Sequence, residues 1–133
     1  MALTWKLSSY WDKFWHLANP KVFMGWSSRL LPIIIVMAAF CLSTGLIWGF
    51  FFTPDDVRQG STVKIIYLHV PAALVAINGY LLMFVGSLFW LIRRQHVSVL
   101  IAKATAPIGM GMTAIALLTG AIWGQPMWGT YWV

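Results

Sequence analysis

The stretch that decides the fold is Ile65–Ile92, IIYLHVPAALVAINGYLLMFVGSLFWLI, 28 residues without a Lys, Arg, Asp or Glu. A bilayer core needs ~20 apolar residues per helix, so this run is long enough to cross one and longer than it needs to be. At ~1.5 Å per residue the whole run would reach ~42 Å, against a hydrocarbon core of ~30 Å. Pro71 resolves the excess, because proline is favoured in the first helical turn, where its missing N–H costs little. A helix from about Pro71 to Ile92 spans ~33 Å by the same rise. That leaves Ile65–Val70, IIYLHV, as a non-spanning approach.

Two more runs have spanning length: Leu30–Phe52 on one side of this stretch and Ala104–Trp123 on the other. The composition agrees. Hydrophobic residues make up 60% of the 133 and charged residues only 9%, against roughly 25% charged in an average soluble domain. Nine basic and three acidic side chains could not cover a soluble surface. The sequence therefore predicts an all-α integral membrane protein with three transmembrane helices, multi-pass, in contact with the lipid bilayer.

The formal charge of +6 would point to nucleic acid in a soluble chain. Here the basic residues sit at the ends of apolar runs, as the positive-inside rule requires, so no nucleic-acid partner is expected. Lys6, Lys13, Lys21 and Arg29 precede the first span, and Arg93, Arg94 and Lys103 follow the second. Between the first and second spans, Arg58 and Lys64 are balanced by Asp55 and Asp56. The rule then assigns 1–29 to the cytoplasm, 30–52 to span 1, 53–70 to an outer connection and 71–92 to span 2. Residues 93–103 form a cytoplasmic connection, 104–123 span 3, and 124–133 face outward.

Ahead of the first span, Leu7, Trp11, Phe14, Trp15 and Ala18 share one helical face opposite Lys6, Ser9, Lys13 and His16. This pattern predicts a short amphipathic helix lying in the interface, not a cleaved signal peptide. An internal echo follows. Thr44–Gly49 reads TGLIWG and Thr119–Gly124 reads TGAIWG, each a G-x-x-x-G of the kind that lets helix backbones approach closely in lipid.

Chemistry-bearing residues are few. Cys41 is the sole cysteine, so neither an internal disulfide nor the C-x-x-C-H of covalent haem attachment exists in these residues. There is no nucleophile–base pair, no pair of carboxylates in a span and no phosphate loop, so the reading leans away from an enzyme. His69 stands at the mouth of the second span, where free helix amides disfavour protonation and leave a neutral imidazole. It reads either as a metal ligand or as an interfacial histidine bonded to water or head groups. His16 and His96 read as solvated surface. The last residues, WGQPMWGTYWV (Trp123–Val133), gather more rings than an interfacial belt needs. With Gly124, Pro126 and Gly129 among them, they predict an irregular, ring-lined strip. Such a strip suits a planar apolar ligand or the seam of a protein interface. Combined with His69, it suits a porphyrin: His69 on the iron as axial ligand, Trp123, Trp128, Tyr131 and Trp132 as a platform, and Arg58 and Lys64 as partners for propionates.

Four stretches, IIYLHVPAA (Ile65–Ala73), APIG (Ala106–Gly109), TGAIWG and WGQPMWGTYWV, resemble the N-terminal half of the haem exporter protein C family. The last is similar to the start of a tryptophan-rich signature in haem-handling membrane proteins. The resemblance, from about Trp26 onward, implies half of a six-span fold in the bacterial inner membrane, N-terminus cytoplasmic. It implies non-covalent, transient handling of haem b at the periplasmic face for c-type cytochrome biogenesis. Implied partners are haem, a membrane-anchored haem chaperone, ATP-binding cassette transporter subunits and a small single-span protein. The family holds haem with two histidines, of which His69 matches the first, and Trp123, Trp128 and Trp132 match the signature tryptophans. The signature continues with W-D-A-R and a second histidine in a later outer loop, neither of which follows here. The chain is therefore expected to be a fragment, with one axial ligand and half a platform. Two other classes are weighed beside this one: a permease subunit, disfavoured by the absence of charge within the spans, and a structural subunit without a haem ligand of its own.

Overall fold

The computed structural model describes His16 and residues 19–132. The interfacial helix expected over Leu7–Ala18 lies outside the described residues. Three long helices dominate: α1 (Pro20–Ile47), α2 (Ile66–Arg93) and α3 (His96–Trp128). A π-turn (Trp48–Phe52) extends α1 and a 3₁₀ turn (Ser61–Ile65) leads into α2. With these extensions each helical segment is 33 residues long and apolar enough to cross a membrane. Among the described residues the only β-type pairing is an isolated bridge between Asp56 and Gly60. The molecule is an all-helical membrane protein.

Local chemistry explains where the helices begin and end. Asn19 caps α1, its Oδ1 accepting from the Lys21 amide at 3.0 Å, and Pro20 occupies the first helical position; both are favoured there. Arg94, with φ 52, closes α2 in the left-handed region, its amide donating to the Trp90 carbonyl at 2.9 Å. Gly129, with φ 74, does the same for α3, donating to Gln125 at 2.8 Å. Glycine carries that conformation without a Cβ penalty.

The helices overrun the expected span limits. α2 starts at Ile66, so Pro71 lies inside it and does not open it. α3 starts at His96 and continues through Pro126 to Trp128, so the ring-lined strip is helical as far as Trp128 and irregular only from Gly129. A helix persists beyond the hydrocarbon wherever no breaker intervenes, and a single missing proline N–H is tolerated in membrane helices.

The core is a hairpin of α2 and α3, and α1 meets it only sparsely. Along α2, His69, Ala72, Ala76, Gly79, Met83, Gly86 and Trp90 are buried or half-buried. They recur at alternating steps of three and four, the repeat of a left-handed helix seam. Small residues bring the backbones together: a Cβ on Gly79 would sit 3.5 Å from Gly109 Cα, and one on Gly86 would sit 3.0 Å from the Ser98 carbonyl oxygen. Polar side chains along the helices are satisfied locally. Asn78, Ser87, Thr105 and Thr113 each donate to the carbonyl four residues back at 2.7–2.8 Å, as an apolar environment demands.

α1 has no buried residue over Pro20–Ile47 and docks at one end. There Gly49 is buried beneath the ring of Tyr67, whose hydroxyl lies 3.2 Å from Thr53 Oγ1. A Cβ on Gly49 would meet Tyr67 Cγ at 2.5 Å, whereas nothing lies within 4 Å of one on Gly45. Gly49→Ala is thus expected to lower stability by about 1–3 kcal/mol through overpacking, while Gly45→Ala is neutral or mildly stabilising. Thermal unfolding of the two variants in detergent checks the pair. Equal effects would show that α1 is not anchored through Gly49.

Candidate functional site

The seam that joins α2 to α3 ends at His69, in the first turn of α2. Its Nδ1 lies 3.0 Å from the Ala116 carbonyl oxygen and 3.1 Å from Thr119 Oγ1, both on α3. Gly120 makes this approach possible, because a Cβ there would sit 2.9 Å from His69 Cε1. On a further side Trp123 meets the imidazole edge-on, with ring centroids 5.8 Å apart. Half-buried, the imidazole is clasped by the last turns of α3.

Beside it opens a cleft of about 500 Å³, within the range of small-molecule sites. Its floor is the row of small residues Ala116, Gly120 and Gly124, one helical turn apart on α3. Its rim is Trp128, Tyr131 and Trp132. Helical side chains lean toward the N-terminus, and accordingly the Trp128 ring lies back over Gly124, where a Cβ would meet it at 3.2 Å. The strip past Gly129 is shaped by Thr130, whose hydroxyl donates to the Trp132 carbonyl at 2.8 Å. The three rim rings remain 66–68% exposed, open for contact. Among the described residues no charged side chain lines the cleft.

His69, Trp128, Tyr131 and Trp132 are therefore brought together in one cleft. Trp123 stands next to them without lining the cleft, its indole N–H donating to Gln59 Oε1 at 2.7 Å. Arg58 and Lys64 lie in the connecting loop, away from the lining, and Lys64 pairs with Asp55 at 3.0 Å. The two G-x-x-x-G copies work differently from the expected helix-to-helix contact. Gly49, Gly120 and Gly124 each make room for a ring: Tyr67, His69 and Trp128. Ring accommodation cannot be told from backbone approach by spacing alone, since both need only a missing Cβ.

The sequence gives Gln59 and Ala116 no role, and marks Thr119 and Gly120 only as part of the TGAIWG packing motif. The three α3 residues were findable by extending the seam, since His69 continues the three-and-four repeat of Ala72, Ala76 and Gly79. Gln59 carried no signal of its own. It is presented by a turn in which Asp56 Oδ1 accepts from the Arg58 and Gln59 amides at 2.8 and 2.9 Å. Asp56 and Gly60 exchange backbone bonds at 3.1 and 2.8 Å across the same turn. The Gln59 amide first, then that of Arg58 and its charge, hold the Asp56 carboxyl below its ordinary range, against a small opposing desolvation. Among the described residues no cluster of three or more His, Cys, Asp or Glu could hold a metal ion on its own.

The helices and the cleft define a polytopic membrane protein with an imidazole-bearing aromatic site at one end. Residues 13–133 match the model of the family described as Heme exporter protein C, and the chain belongs to that family. It is 64% identical over 118 residues to the Heme exporter protein C of Paracoccus denitrificans, covering 89% of this chain and 48% of that one. With the Rhodobacter capsulatus protein of the same name it shares 62% over 118 residues, 89% and 49% of the two chains. The Escherichia coli K12 protein is 41% identical over 123 residues, 92% and 50%. The chain spans about half the length of these relatives.

Gln59→Leu should remove a hydrogen bond worth about 0.5–1.5 kcal/mol and release the Trp123 indole, seen as faster hydrogen exchange at that N–H. Asp56, with its depressed pKa, contributes to the turn at pH above its ordinary carboxyl range and loses that contribution as pH falls through the lowered value. The Arg58 and Gln59 amide shifts should move together in an acid titration, and Asp56→Ala should abolish the transition. An exchange rate untouched by Gln59→Leu would sever the loop from Trp123.

Proposed function

We propose that this chain forms one side of a haem site and takes part in haem export for c-type cytochrome biogenesis. In this reading it presents haem at the periplasmic face of a bacterial inner membrane, with its N-terminus cytoplasmic, and hands it to a haem chaperone anchored in that membrane. ATP-binding cassette transporter subunits and a small single-span protein complete the assembly. Membership of the Heme exporter protein C family supports this reading. The observation that carries it to the level of residues is that His69, Trp128, Tyr131 and Trp132 line one cleft free of charged side chains.

These residues fit the group. Haem b, when bound, would supply an iron that accepts a nitrogen lone pair, and His69 would be the nitrogen donor in the cleft. Trp128, Tyr131 and Trp132 pack against the macrocycle, and the bare Cα atoms of Gly120 and Gly124 let a flat group lie close to α3. Trp123 serves the platform indirectly, as a buttress that holds the imidazole ring. Arg58 and Lys64 are the cations available to propionates at the loop margin. Lys64 must leave Asp55 for this, a partly exposed pair whose Asp55 end is open to solvent. Binding is non-covalent, because the described residues offer no pair of cysteines, and it is transient, because the cargo is passed on.

The full-length protein, purified in mild detergent, gives the test. His69→Ala is expected to abolish or strongly shift the Soret band. Trp128→Ala and Trp132→Ala are expected to retain its position but lose haem roughly twofold to tenfold faster each, the equivalent of ~0.5–1.5 kcal/mol per ring. A Soret band unchanged in His69→Ala would remove His69 from the ligand set. Haem content unaffected by all three would favour a structural subunit.

A further inference from the structure

We infer that His69 is held in its Nδ1–H tautomer, with Thr119 as the residue that positions it, so that Nε2 is the nitrogen offered to the cleft. The inference rests on the haem reading only for what Nε2 would bind; the tautomer itself follows from the hydrogen bonds.

Nδ1 has two neighbours within bonding distance, and both are acceptors. The Ala116 carbonyl oxygen, at 3.0 Å, has no proton to give. The Thr119 hydroxyl, at 3.1 Å, has one, and it is committed elsewhere. Thr119 Oγ1 lies 2.6 Å from the Ile115 carbonyl, the shorter of its two backbone contacts, the other being 3.3 Å to Ala116. A hydroxyl that donates to Ile115 turns its lone pairs to the imidazole. Nδ1 must then supply the proton for both contacts. The opposite tautomer would set an Nδ1 lone pair against two oxygens, which no rotation of the Thr119 hydroxyl relieves at the carbonyl. Free neutral histidine favours Nε2–H, so the site selects the less common form.

The other nitrogen is left open. Nε2 has no hydrogen-bond partner among the described residues, and no partnerless side-chain nitrogen or oxygen is buried. His69 lines the cleft, so the bare lone pair reaches open space there. The ring has little freedom to turn. Gly120 is flush against Cε1, and the Trp123 ring stands at 5.8 Å. An acceptor on the Nδ1 proton also fixes the direction in which Nε2 points, the role that outer partners of ligating histidines fill in metal sites.

The experiment uses full-length protein with His16→Gln and His96→Gln, leaving His69 as the histidine of this region, labelled with ¹⁵N and free of haem. At mildly alkaline pH the nitrogen shifts and couplings report which nitrogen carries the proton. The expected result is protonated Nδ1 and bare Nε2, unchanged in Thr119→Ser and shifted only in part toward the Nε2–H form in Thr119→Val, where the Ala116 carbonyl alone holds the proton. In haem-loaded protein, Thr119→Val is expected to weaken haem retention about tenfold, the low end for loss of an outer partner, while Thr119→Ser retains it. A dominant Nε2–H form in the unmodified site would overturn the inference. Thr119→Val indistinguishable from Thr119→Ser in both readouts would remove Thr119 from the positioning role. Failure of the haem reading looks different: His69→Ala would leave the Soret band untouched while the Nδ1–H signature persists in the haem-free protein.

Discussion

The close approach of α2 and α3 is the constraint on which the rest depends. In lipid no hydrophobic force drives helices together, so association rests on packing, and packing improves when side chains at the contact are small. Ala72 and Ala76 are buried along α2, Gly79 meets Thr105 and Gly109 on α3, and Gly86 lies against Ser98 and Ala102, where a Cβ would come within 3.0 Å of the Ser98 carbonyl oxygen. Once that register is set, antiparallel geometry fixes which turn of α3 faces the first turn of α2. The turn that faces it holds Ala116, Thr119 and Gly120.

A histidine on a helix seam would ordinarily be a liability, since a polar ring between apolar helices must find partners or be expelled. Here the seam supplies them from one side only. The carbonyl of Ala116 is still reachable, and the hydroxyl of Thr119 comes from the same turn. Partners on Nδ1 and none on Nε2 give an imidazole anchored by one nitrogen and available by the other. The loop adds a second restraint. Asp56 organises a turn, the turn presents Gln59, and Gln59 takes the Trp123 N–H at 2.7 Å. Trp123 in turn stands against the imidazole. Loop, α3 and α2 thus meet at His69.

Much of this was legible in the sequence, for reasons that also mark its limit. Length and apolarity announced the three helices, because crossing ~30 Å of hydrocarbon leaves no other solution for an uncharged run. His69 stood out as the one histidine inside an apolar run, and Trp128, Tyr131 and Trp132 by density. The misreadings share a cause. The sequence predicts that Pro71 opens α2 and that the strip with Gly124, Pro126 and Gly129 is irregular, but at both prolines the cost of one lost N–H is small beside a continuous helix. The G-x-x-x-G spacing predicts close backbone approach, and Gly49 and Gly120 do lie at contacts with α2, but it is the Tyr67 and His69 rings that fill the space. Which ring or backbone fills the space is decided by the partner element, and that is tertiary information. Gln59 was invisible for the same reason, since a loop glutamine acquires meaning only from the tryptophan it meets.

The cleft is stiff where it would hold a ligand and loose where it would cover one. The floor is helix backbone, and the imidazole is tied at Nδ1. By contrast two of the three rim rings, Tyr131 and Trp132, follow a left-handed glycine, and all three stay about two-thirds exposed. A site meant to keep its ligand would bury 70–90% of it beneath such rings. A carrier has the opposite requirement: binding must be favourable enough to load and weak enough to release, as for any species in transit through a membrane protein. Directional attachment at one atom supplies specificity without much area, and an open aromatic rim supplies contact that a receiving protein can replace ring by ring. On the proposed haem reading, an imidazole anchored at one nitrogen beside an aromatic rim joins these two requirements in one cleft.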